Sequence, residues 1–446
     1  MVAGLASPVL AIDEAHRQRA LVMIERAGEY LRSQQHGGGG WAVPEDAAAP
    51  VLPAITGLVV NALALEPMAD SGSARMTQAG QRENGERTAA MDRGVAFMLS
   101  HVQIDGGIYD QQLPSYNTAI CVSALCRFRE GNAEAEAAVV GGLEFLREVQ
   151  WSEDAGPVNP DGTPSPAAAT VQAVGREHPF YGGIGYGRHG RPDNSNLNLA
   201  MQAFHDAGVS RDDPAFQRAL VFLRRTQMHE GVNDAEYAKG SRQGGFIYAT
   251  AETGAEPGVG QSQAGVIEET LDDGTSVSRL RAYGSMTYAA FKTMIYAGLS
   301  ADDERVRLAM AWINRNYTVT ENPGMGTDGM YYYYLMLSRA LVAAGVETIE
   351  IVLEGGEVSI DEVPGGLSPG AGGRVRSPSG SVRYNQATGV VEFECDWAND
   401  LIDQLATLQN EDGSFRSVDD RWMESNPVLI SAYAMLALEH AVGLAE

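Results

Sequence analysis

The chain has 446 residues, enough for two or three ordinary domains or for one large domain built from repeats. Hydrophobic residues make up 44% and aromatic residues 7%, a composition typical of a folded protein with a core rather than of a disordered chain. The formal net charge is −26, from 32 Lys and Arg against 58 Asp and Glu. This charge repels polyanions, which argues against nucleic acid as a partner and against an anionic membrane surface.

Targeting and redox signals are sparse. No stretch reaches the roughly 18 to 20 uninterrupted apolar residues that a transmembrane helix needs. The three cysteines, Cys121, Cys126 and Cys395, form no CxxC pair and cannot provide a disulfide framework. The first residues lack a basic region but end in Val-Leu-Ala, like the tail of a signal peptide. Export and a native cytoplasmic terminus therefore both stay open.

The chain then repeats one unit: an amphipathic helix, a glycine turn with an aromatic residue, and a helix that is apolar on nearly every side. In the first copy, residues 17–35 place apolar side chains at three- and four-residue steps, which predicts a helix with one buried face. Gly38-Gly39-Gly40-Trp41 follows, and residues 53–65 are almost entirely apolar. Such a helix must be covered on both sides.

Five further copies follow the same order. The paired segments are residues 93–101 with 115–128, 143–150 with 196–207, 216–227 with 283–297, 306–316 with 332–344, and 397–409 with 427–440. Hairpins whose first helix buries one face and whose second is buried all round predict two concentric rings. We therefore expect an all-α fold, an (α/α)6 barrel or toroid, with residues 1–446 in a single domain.

Two segments depart from the repeat. Residues 348–394 alternate apolar and polar positions around a middle rich in Gly, Pro and Ser, which predicts a small β-hairpin or flap inserted before the last helical hairpin. Residues 70–86 are polar and predict a loop. The sequence leaves open whether the flap closes over the mouth of the barrel.

The repeated unit resembles the repeat shared by squalene-hopene and oxidosqualene cyclases and by the β subunits of protein prenyltransferases. The resemblance lies in an outer helix that ends in Gln, a glycine turn, an aromatic residue and an apolar inner helix. It is visible at Leu408-Gln409-Asn410-Glu411-Asp412-Gly413-Ser414-Phe415, at Gln34-Gln35 with Gly39-Gly40-Trp41, and at Gln103-Ile104-Asp105-Gly106-Gly107-Ile108-Tyr109. It implies a toroid whose central cavity binds a mainly apolar, isoprenoid ligand.

The catalytic motifs of that family are missing from this sequence. Class II cyclases use an Asp-x-Asp-Asp acid and class I synthases an Asp-Asp-x-x-Asp metal site, and neither pattern occurs. Prenyltransferases hold zinc with an Asp, a Cys and a His, but Cys395-Asp396 lies at the start of an outer helix and no His stands at ligand spacing from it. The Gly-Cys-Gly-Glu-Gln thioester motif of complement-type toroids is absent as well. We therefore predict no metal and no cofactor, and catalysis stays open.

The loops that lead into the inner helices are expected to meet at one mouth of the barrel and to line a shared cavity. The residues predicted to contact a ligand there are Asp110, Tyr116, Asn117, Tyr186, Asn196, Tyr283, Tyr331, Tyr332, Tyr334, Asp419 and Trp422. The candidates for a general acid are Asp193, Asp328, Asp420 and Glu424. Acids at helix starts also serve as N-caps, and that alternative stays open for each of them.

Aromatic and carboxylate side chains together suit two kinds of ligand. Aromatic faces stabilise a carbocation, and aromatic planes with a pair of acids hold and cleave sugars. The leading hypothesis is a cyclase-like or prenyltransferase-like toroid that binds a small, mainly hydrophobic molecule. The alternatives are a carbohydrate-active (α/α)6 lyase or hydrolase, with two carboxylates on opposite walls of a charged groove, and a non-catalytic binding or scaffold toroid.

Overall fold

The computed structural model describes residues 12–445 apart from 47, 68–77, 155–172, 188–190, 253–256, 259, 272, 354–368, 371–373, 376–381 and 386–389. The predicted signal-peptide remnant lies outside these residues. Most of the predicted flap lies outside them too, since only its strands are described and the side chains of residues 351–394 are not.

Twelve helices alternate between two rings over the described part of the chain. They are α1 Glu14–Ser33, α2 Pro53–Leu65, α3 Gln78–Leu99, α4 Pro114–Leu125, α5 Ala133–Glu148, α6 Asn194–Asp206, α7 Pro214–Thr226, α8 Gly284–Tyr296, α9 Glu304–Asn316, α10 Met330–Ala343, α11 Trp397–Leu408 and α12 Pro427–Ala441. The even-numbered helices form a closed inner ring, because each packs on the next and α12 packs on α2. The odd-numbered helices surround it. The predicted (α/α)6 barrel is confirmed.

Local sequence explains where these helices begin. Five outer helices start at a side chain that accepts a hydrogen bond from a first-turn amide, and these caps are Asp13, Asn132, Asp213, Asp303 and Asp396. Three inner helices, α2, α4 and α12, begin with proline, which costs no hydrogen bond in the first turn, and α12 is also capped by the Asn426 side chain.

Burial follows the two-ring arrangement. In α12 every residue from Val428 to Ala441 is buried, because the helix touches both the outer ring and the centre of the barrel. In α1 only one face is buried, including Ile24, Ala27 and Leu31. The apolar patterns in the sequence predicted this difference in burial between inner and outer helices.

One local prediction is wrong in part, and one pair of strands was not predicted. Residues 70–86 were expected to form a loop, but α3 begins at Gln78 and runs to Leu99. The segment from Gln78 to Glu86 combines good helix formers with Gly80 and Gly85, and it contacts the rest of the barrel, since Glu83 lies 3.7 Å from Arg32 of α1. The predictions also missed strands β1 Val266–Thr270 and β2 Ser276–Leu280, which pair antiparallel in the insertion before α8. The Asp273-Gly274 turn between alternating residues was the available signal.

The predicted insertion contains β-structure. Strand β3 Thr348–Leu353 pairs antiparallel with β7 Val390–Asp396, and β6 Val382–Asn385 pairs with the other edge of β7. Two short strands, β4 Pro369–Gly370 and β5 Arg374–Val375, pair with each other. Strand β3 packs against the outer helix α9, and β7 leads directly into α11.

No described helix combines the length and the apolar character that crossing a membrane requires. Across the same residues, no group of three or more His, Cys, Asp or Glu side chains is arranged to hold a metal ion.

Candidate functional site

A cavity of about 350 Å³ lies at the mouth of the barrel where the inner helices begin. The first turn of every inner helix contributes to its wall, through Ala54, Tyr116, Ser195, Ser285, Tyr332 and Leu429. The rest of the wall is mostly apolar or aromatic and includes Leu52, Ile55, Leu58, Leu113, Met286, Met423 and four further tyrosines. The shared cavity therefore lies at the mouth where the sequence placed its candidates.

Seven residues singled out from the sequence line this cavity: Tyr116, Asn117, Tyr186, Tyr283, Tyr332, Trp422 and Glu424. Among them, Asn117 also fixes the geometry of the mouth. Its Oδ1 accepts a hydrogen bond from the amide of Ala54 at 2.9 Å, and its Nδ2 donates to the carbonyl of Gln112 at 2.8 Å. One side chain thus braces the starts of two neighbouring inner helices.

The tyrosines of the wall form a connected belt. The hydroxyls of Tyr186 and Tyr248 are 3.0 Å apart, and those of Tyr116 and Tyr433 are 3.4 Å apart. The Tyr116 ring stacks over Tyr186 with centroids 6.4 Å apart, while Tyr332 meets Tyr433 edge to face at 6.0 Å. Burial raises the pKa of all five hydroxyls above the ordinary range, so the belt stays uncharged.

The loop of residues 418–426, here called the rim loop, holds an unusual backbone at the edge of the cavity. Trp422 and Met423 both have left-handed conformations, with φ of 57° and 67°, which non-glycine residues adopt at a cost. Trp422 covers Gly329, where a Cβ atom would lie 2.9 Å from the indole ring. The guanidinium of Arg421 stacks on Trp422 at 4.3 Å and pairs with Asp328. These contacts fix the rim loop over the mouth.

Glu424 is the acid of the rim loop that reaches the cavity wall. Its side chain is almost fully buried, and its Oε1 accepts hydrogen bonds from the amides of Tyr331 at 2.9 Å and Tyr332 at 3.2 Å. Its Oε2 meets no hydrogen-bond donor in the described part of the chain. Burial raises the pKa of Glu424 to about 7, against the lowering effect of the amides. Near neutral pH, Glu424 is therefore present in both its protonated and its charged form.

Asp193 is buried behind the tyrosine belt. It caps α6, with its Oδ1 accepting from the amide of Asn196 at 2.9 Å and its Oδ2 from the Asn196 side chain at 2.9 Å. The Tyr248 hydroxyl also bonds to it. Burial raises the pKa of Asp193 to about 6, opposed by these hydrogen bonds. The capping role considered from the sequence is therefore present, and the carboxylate contacts the belt rather than the cavity.

The other predicted acids do not line the cavity. Asp328 is paired with Arg421, and Asp420 accepts a hydrogen bond from Ser425 within the rim loop. Asp419 accepts from the amide of Arg421 at 2.9 Å, and Asp110 accepts from the amide of Val51 at 3.0 Å, just before α2. Each of these carboxylates fixes a loop of the mouth.

Three predicted contact residues lie behind the wall. Asn196 is bonded to Asp193. Tyr331 packs edge to face on Phe415 with centroids 5.9 Å apart, and the Tyr334 hydroxyl donates to the carbonyl of Val319 at 2.9 Å. Successive helix positions point about 100° apart, so only Tyr332 of the four consecutive tyrosines reaches the cavity.

Sequence reasoning missed Tyr248 and Tyr433 in the wall. Tyr248 follows the Gly244-Gly245 turn in the position that the repeat gives to an aromatic residue. Tyr433 lies one turn beyond Leu429 on α12 and reaches the same cavity from deeper in the barrel. A search that included the second turn of each inner helix would have found it.

No protein-family model matches the sequence, and no curated protein matches it. Similar solved structures include an alpha-1,6-mannanase from Salegentibacter sp., with a TM-score of 0.49 and 8% identity over 96% of this chain and 100% of that one. A type II terpene cyclase from Scytonema, in complex with geranylgeranyl dihydroxybenzoate, gives 0.45 and 11% identity over 97% and 100%. An alpha-amylase from Clostridium perfringens gives 0.45 and 10% identity over 94% and 98%.

The terpene cyclase is thus one of several kinds of protein with a similar structure. With TM-scores below 0.5 and identities of 8 to 11%, these similarities indicate neither a ligand nor a reaction, so the ligand has to be inferred from the cavity itself.

Proposed function

We propose that the protein binds a short, mainly apolar molecule of the isoprenoid class in the tyrosine-lined cavity, and that Glu424 donates a proton to it. The observation that carries this proposal is a cavity with an apolar and aromatic wall that contains a single acid among its described residues. Apolar pockets with a few placed polar groups are typical of small-molecule sites.

The size of the cavity limits the ligand. A volume of about 350 Å³ lies at the small end of the range of roughly 300 to 1,000 Å³ that is typical of small-molecule sites. This favours a short isoprenoid chain over a triterpene.

The position of Glu424 supports a role as a proton donor. Because Oε1 already accepts two amide hydrogens, the acidic proton belongs on Oε2. A pKa of about 7 lies near the value at which a general acid is most effective at neutral pH. Positive charge that develops on the ligand would be stabilised by the faces of the surrounding tyrosines.

The carbohydrate hypothesis has less support from this wall. Cleaving a glycosidic bond usually takes two carboxyl groups on opposite sides of the sugar, roughly 5 to 10 Å apart. Of the described acids only Glu424 lines the cavity, and Asp193 is shielded behind Tyr186 and Tyr248. The non-catalytic alternative predicts that Glu424→Ala leaves every measurable phenotype intact.

The first experiment is untargeted mass spectrometry of molecules that co-purify with the wild type, Tyr332→Ala and Trp422→Ala. Trp151→Ala is the matched control, because Trp151 stacks on His178 at 5.6 Å and is absent from the cavity wall. An isoprenoid bound to the wild type and to the control, but lost from the two cavity variants, is the expected result.

Direct titration then separates the hypotheses. Geraniol and farnesol should quench the fluorescence of Trp422 in the wild type, and a mannose oligosaccharide should not. Glu424→Gln should bind these alcohols about as well as the wild type, while any turnover of a bound isoprenoid falls at least 100-fold, the typical contribution of a general acid. Saturable binding of the sugar without binding of either alcohol would refute the proposal.

A further inference from the structure

The charged groups around the tyrosine-lined cavity restrict the polar end of a ligand. Among the described residues of its wall there is no Lys, Arg or His, and Glu424 is the single acid. Two arginines approach the wall from outside, and a carboxylate offsets each of them: Arg421 pairs with Asp328, and Arg339 faces Asp206. The described wall therefore offers a negatively charged head group no free cation.

Hydroxyl groups supply hydrogen-bonding capacity in the same wall, and four of them form two pairs. The hydroxyls of Tyr186 and Tyr248 are 3.0 Å apart. The Ser195 Oγ and the Tyr332 hydroxyl are also 3.0 Å apart. All four residues line the cavity, and the two pairs lie close together, because Tyr332 interacts electrostatically with Tyr186.

Asp193 sets the direction of the hydrogen bonds in the pair formed by Tyr186 and Tyr248. Burial raises the pKa of Asp193 to about 6, so above that pH it is mostly a carboxylate, which has no hydrogen to give. The Tyr248 hydroxyl therefore donates to Asp193 and accepts the hydrogen of Tyr186. Both hydrogens of the pair are then used, and the Asn196 side chain also bonds to Tyr186. Toward a ligand this pair, here called the acceptor pair, can only accept a hydrogen bond.

The pair formed by Ser195 and Tyr332 keeps a hydrogen. Each hydroxyl brings one hydrogen, and the bond between the two groups uses one of them. The other hydrogen can be donated to a ligand, so this pair is here called the donor pair. An alcohol hydroxyl donates one hydrogen and accepts another, and it therefore matches both pairs at once.

Charged head groups match this arrangement less well. A diphosphate has no hydrogen to donate to the acceptor pair, and its charge would be buried beside Glu424 and Asp193. Arg191 stacks over the ring of Tyr248 at 5.7 Å but is not part of the described wall. An ammonium group can donate to the acceptor pair, but it has no lone pair with which to accept from the donor pair.

We infer that the cavity takes its isoprenoid ligand as an uncharged alcohol, whose hydroxyl donates to the acceptor pair and accepts from the donor pair. The hydrocarbon chain then lies against the apolar part of the wall. This inference rests on the function proposed for the cavity and narrows it, because it names the head group that Tyr186, Tyr248, Ser195 and Tyr332 recognise.

Four probes that share one hydrocarbon chain and differ in the head group test this inference: geraniol, geranyl methyl ether, geranylamine and geranyl diphosphate. Their dissociation constants are measured at pH 7.5 and constant ionic strength from the quenching of tryptophan fluorescence. Geraniol should bind the wild type most tightly. The ether, which cannot donate, and the diphosphate should bind at least about tenfold more weakly, because a site built to hydrogen-bond a ligand hydroxyl discriminates against analogues that lack it.

Removing the acceptor pair should remove the preference for the alcohol. A Tyr186→Phe, Tyr248→Phe double variant keeps both rings, so geraniol should bind it about as weakly as the ether does, while the affinity of the ether stays unchanged. The single variant Tyr186→Phe keeps the bond from Tyr248 to Asp193 and should reduce the preference if the double variant does not fold. Tyr109→Phe is the matched control, because the Tyr109 hydroxyl also donates to a carboxylate, Asp105, at 2.9 Å, but lies outside the cavity wall.

The outcomes separate this inference from the function on which it rests. If the ether, the amine or the diphosphate binds the wild type at least as tightly as geraniol, the head group is not an alcohol, although the cavity still binds isoprenoids. The inference is equally overturned if the variants that lack the acceptor pair, or its Tyr186 hydroxyl, keep the full preference for geraniol. If none of the four probes binds, the proposed function fails and the inference fails with it.

Discussion

Replacing Glu424 with glutamine should make the protein more stable at alkaline pH and leave it nearly unchanged at acid pH. Glutamine has the same shape as the protonated side chain, and its carbonyl oxygen can accept the amides of Tyr331 and Tyr332 as Oε1 does. The substitution therefore keeps the contact with α10 and removes only the ionisation.

The magnitude follows from the shift in pKa. Burial raises the pKa of Glu424 from 4.5 to about 7 in the folded protein. Between these values the folded state holds a proton that the unfolded state has released, so the free energy of unfolding falls as pH rises. Each pH unit contributes about 1.4 kcal/mol, and the interval of about 2.5 units gives about 3 kcal/mol in total. The stabilising contribution of the protonated acid is complete below pH 4.5 and is lost by pH 7 and above.

Urea unfolding of the wild type and Glu424→Gln at pH 5, 6, 7 and 8 measures this difference. The advantage of the glutamine variant should grow by about 2.5 kcal/mol from pH 5 to pH 8, because part of the total is already present at pH 5, with unchanged urea dependence. Glu411→Gln, which removes an exposed carboxylate, controls for the loss of charge itself. If the difference in the free energy of unfolding between Glu424→Gln and the wild type stays constant from pH 5 to pH 8, the folded state does not hold the proton on Glu424.

Three further predictions concern other parts of the barrel. Glu439→Gln should stabilise the protein at pH 8 and have little effect near pH 4, because both Glu439 oxygens lack a donor among the described residues and burial raises its pKa well above 4.5; urea unfolding at both pH values checks this. Gly182→Ala should lower stability by at least about 2 kcal/mol, since φ is 86° and the new Cβ would lie 1.9 Å from the Arg218 carbonyl oxygen. Gly345→Ala is the control, because its φ is 64° and the space around it is open; it should lower the free energy of unfolding by only about 1 kcal/mol. Equal melting temperatures for the two variants would contradict the steric reasoning. Arg421→Gln should release the rim loop, which limited proteolysis and hydrogen exchange would detect as cleavage and faster exchange confined to that loop.

The sequence predicts the fold well because the repeat carries its own boundaries. The predicted inner helix at residues 53–65 coincides with α2, since Pro53 marks its start and an unbroken apolar run defines its length. The outer helix α3 was predicted too short, because its first turns show no apolar stripe. Contacts that the sequence does not reveal, such as the pair of Glu83 with Arg32 of α1 at 3.7 Å, accompany these turns.

The site is predictable only in outline. The glycine turns locate the mouth, and Tyr332 and Trp422 reach the cavity there. The role of each acid depends on contacts from other repeats, which no local pattern shows: Asp328 is paired with Arg421, 93 positions away, whereas Glu424 reaches back across the same distance to cap α10. The two acids look alike in sequence and differ in structure because only one of them is buried without a cation.

The parallel inner helices give the two mouths opposite electrostatic characters. All six begin at the tyrosine cavity, so their amide ends favour negative charge there, and the buried acids Glu424 and Asp193 each accept backbone amides at that mouth. Burial opposes this effect and holds the pKa values at about 7 and about 6 rather than in the usual acid range. At the other mouth the carbonyl ends favour positive charge, and Arg339 lies there beside Asp206. Burial again opposes the dipoles, because it lowers the pKa values of Lys292 and His440 at that mouth and so disfavours their charged forms.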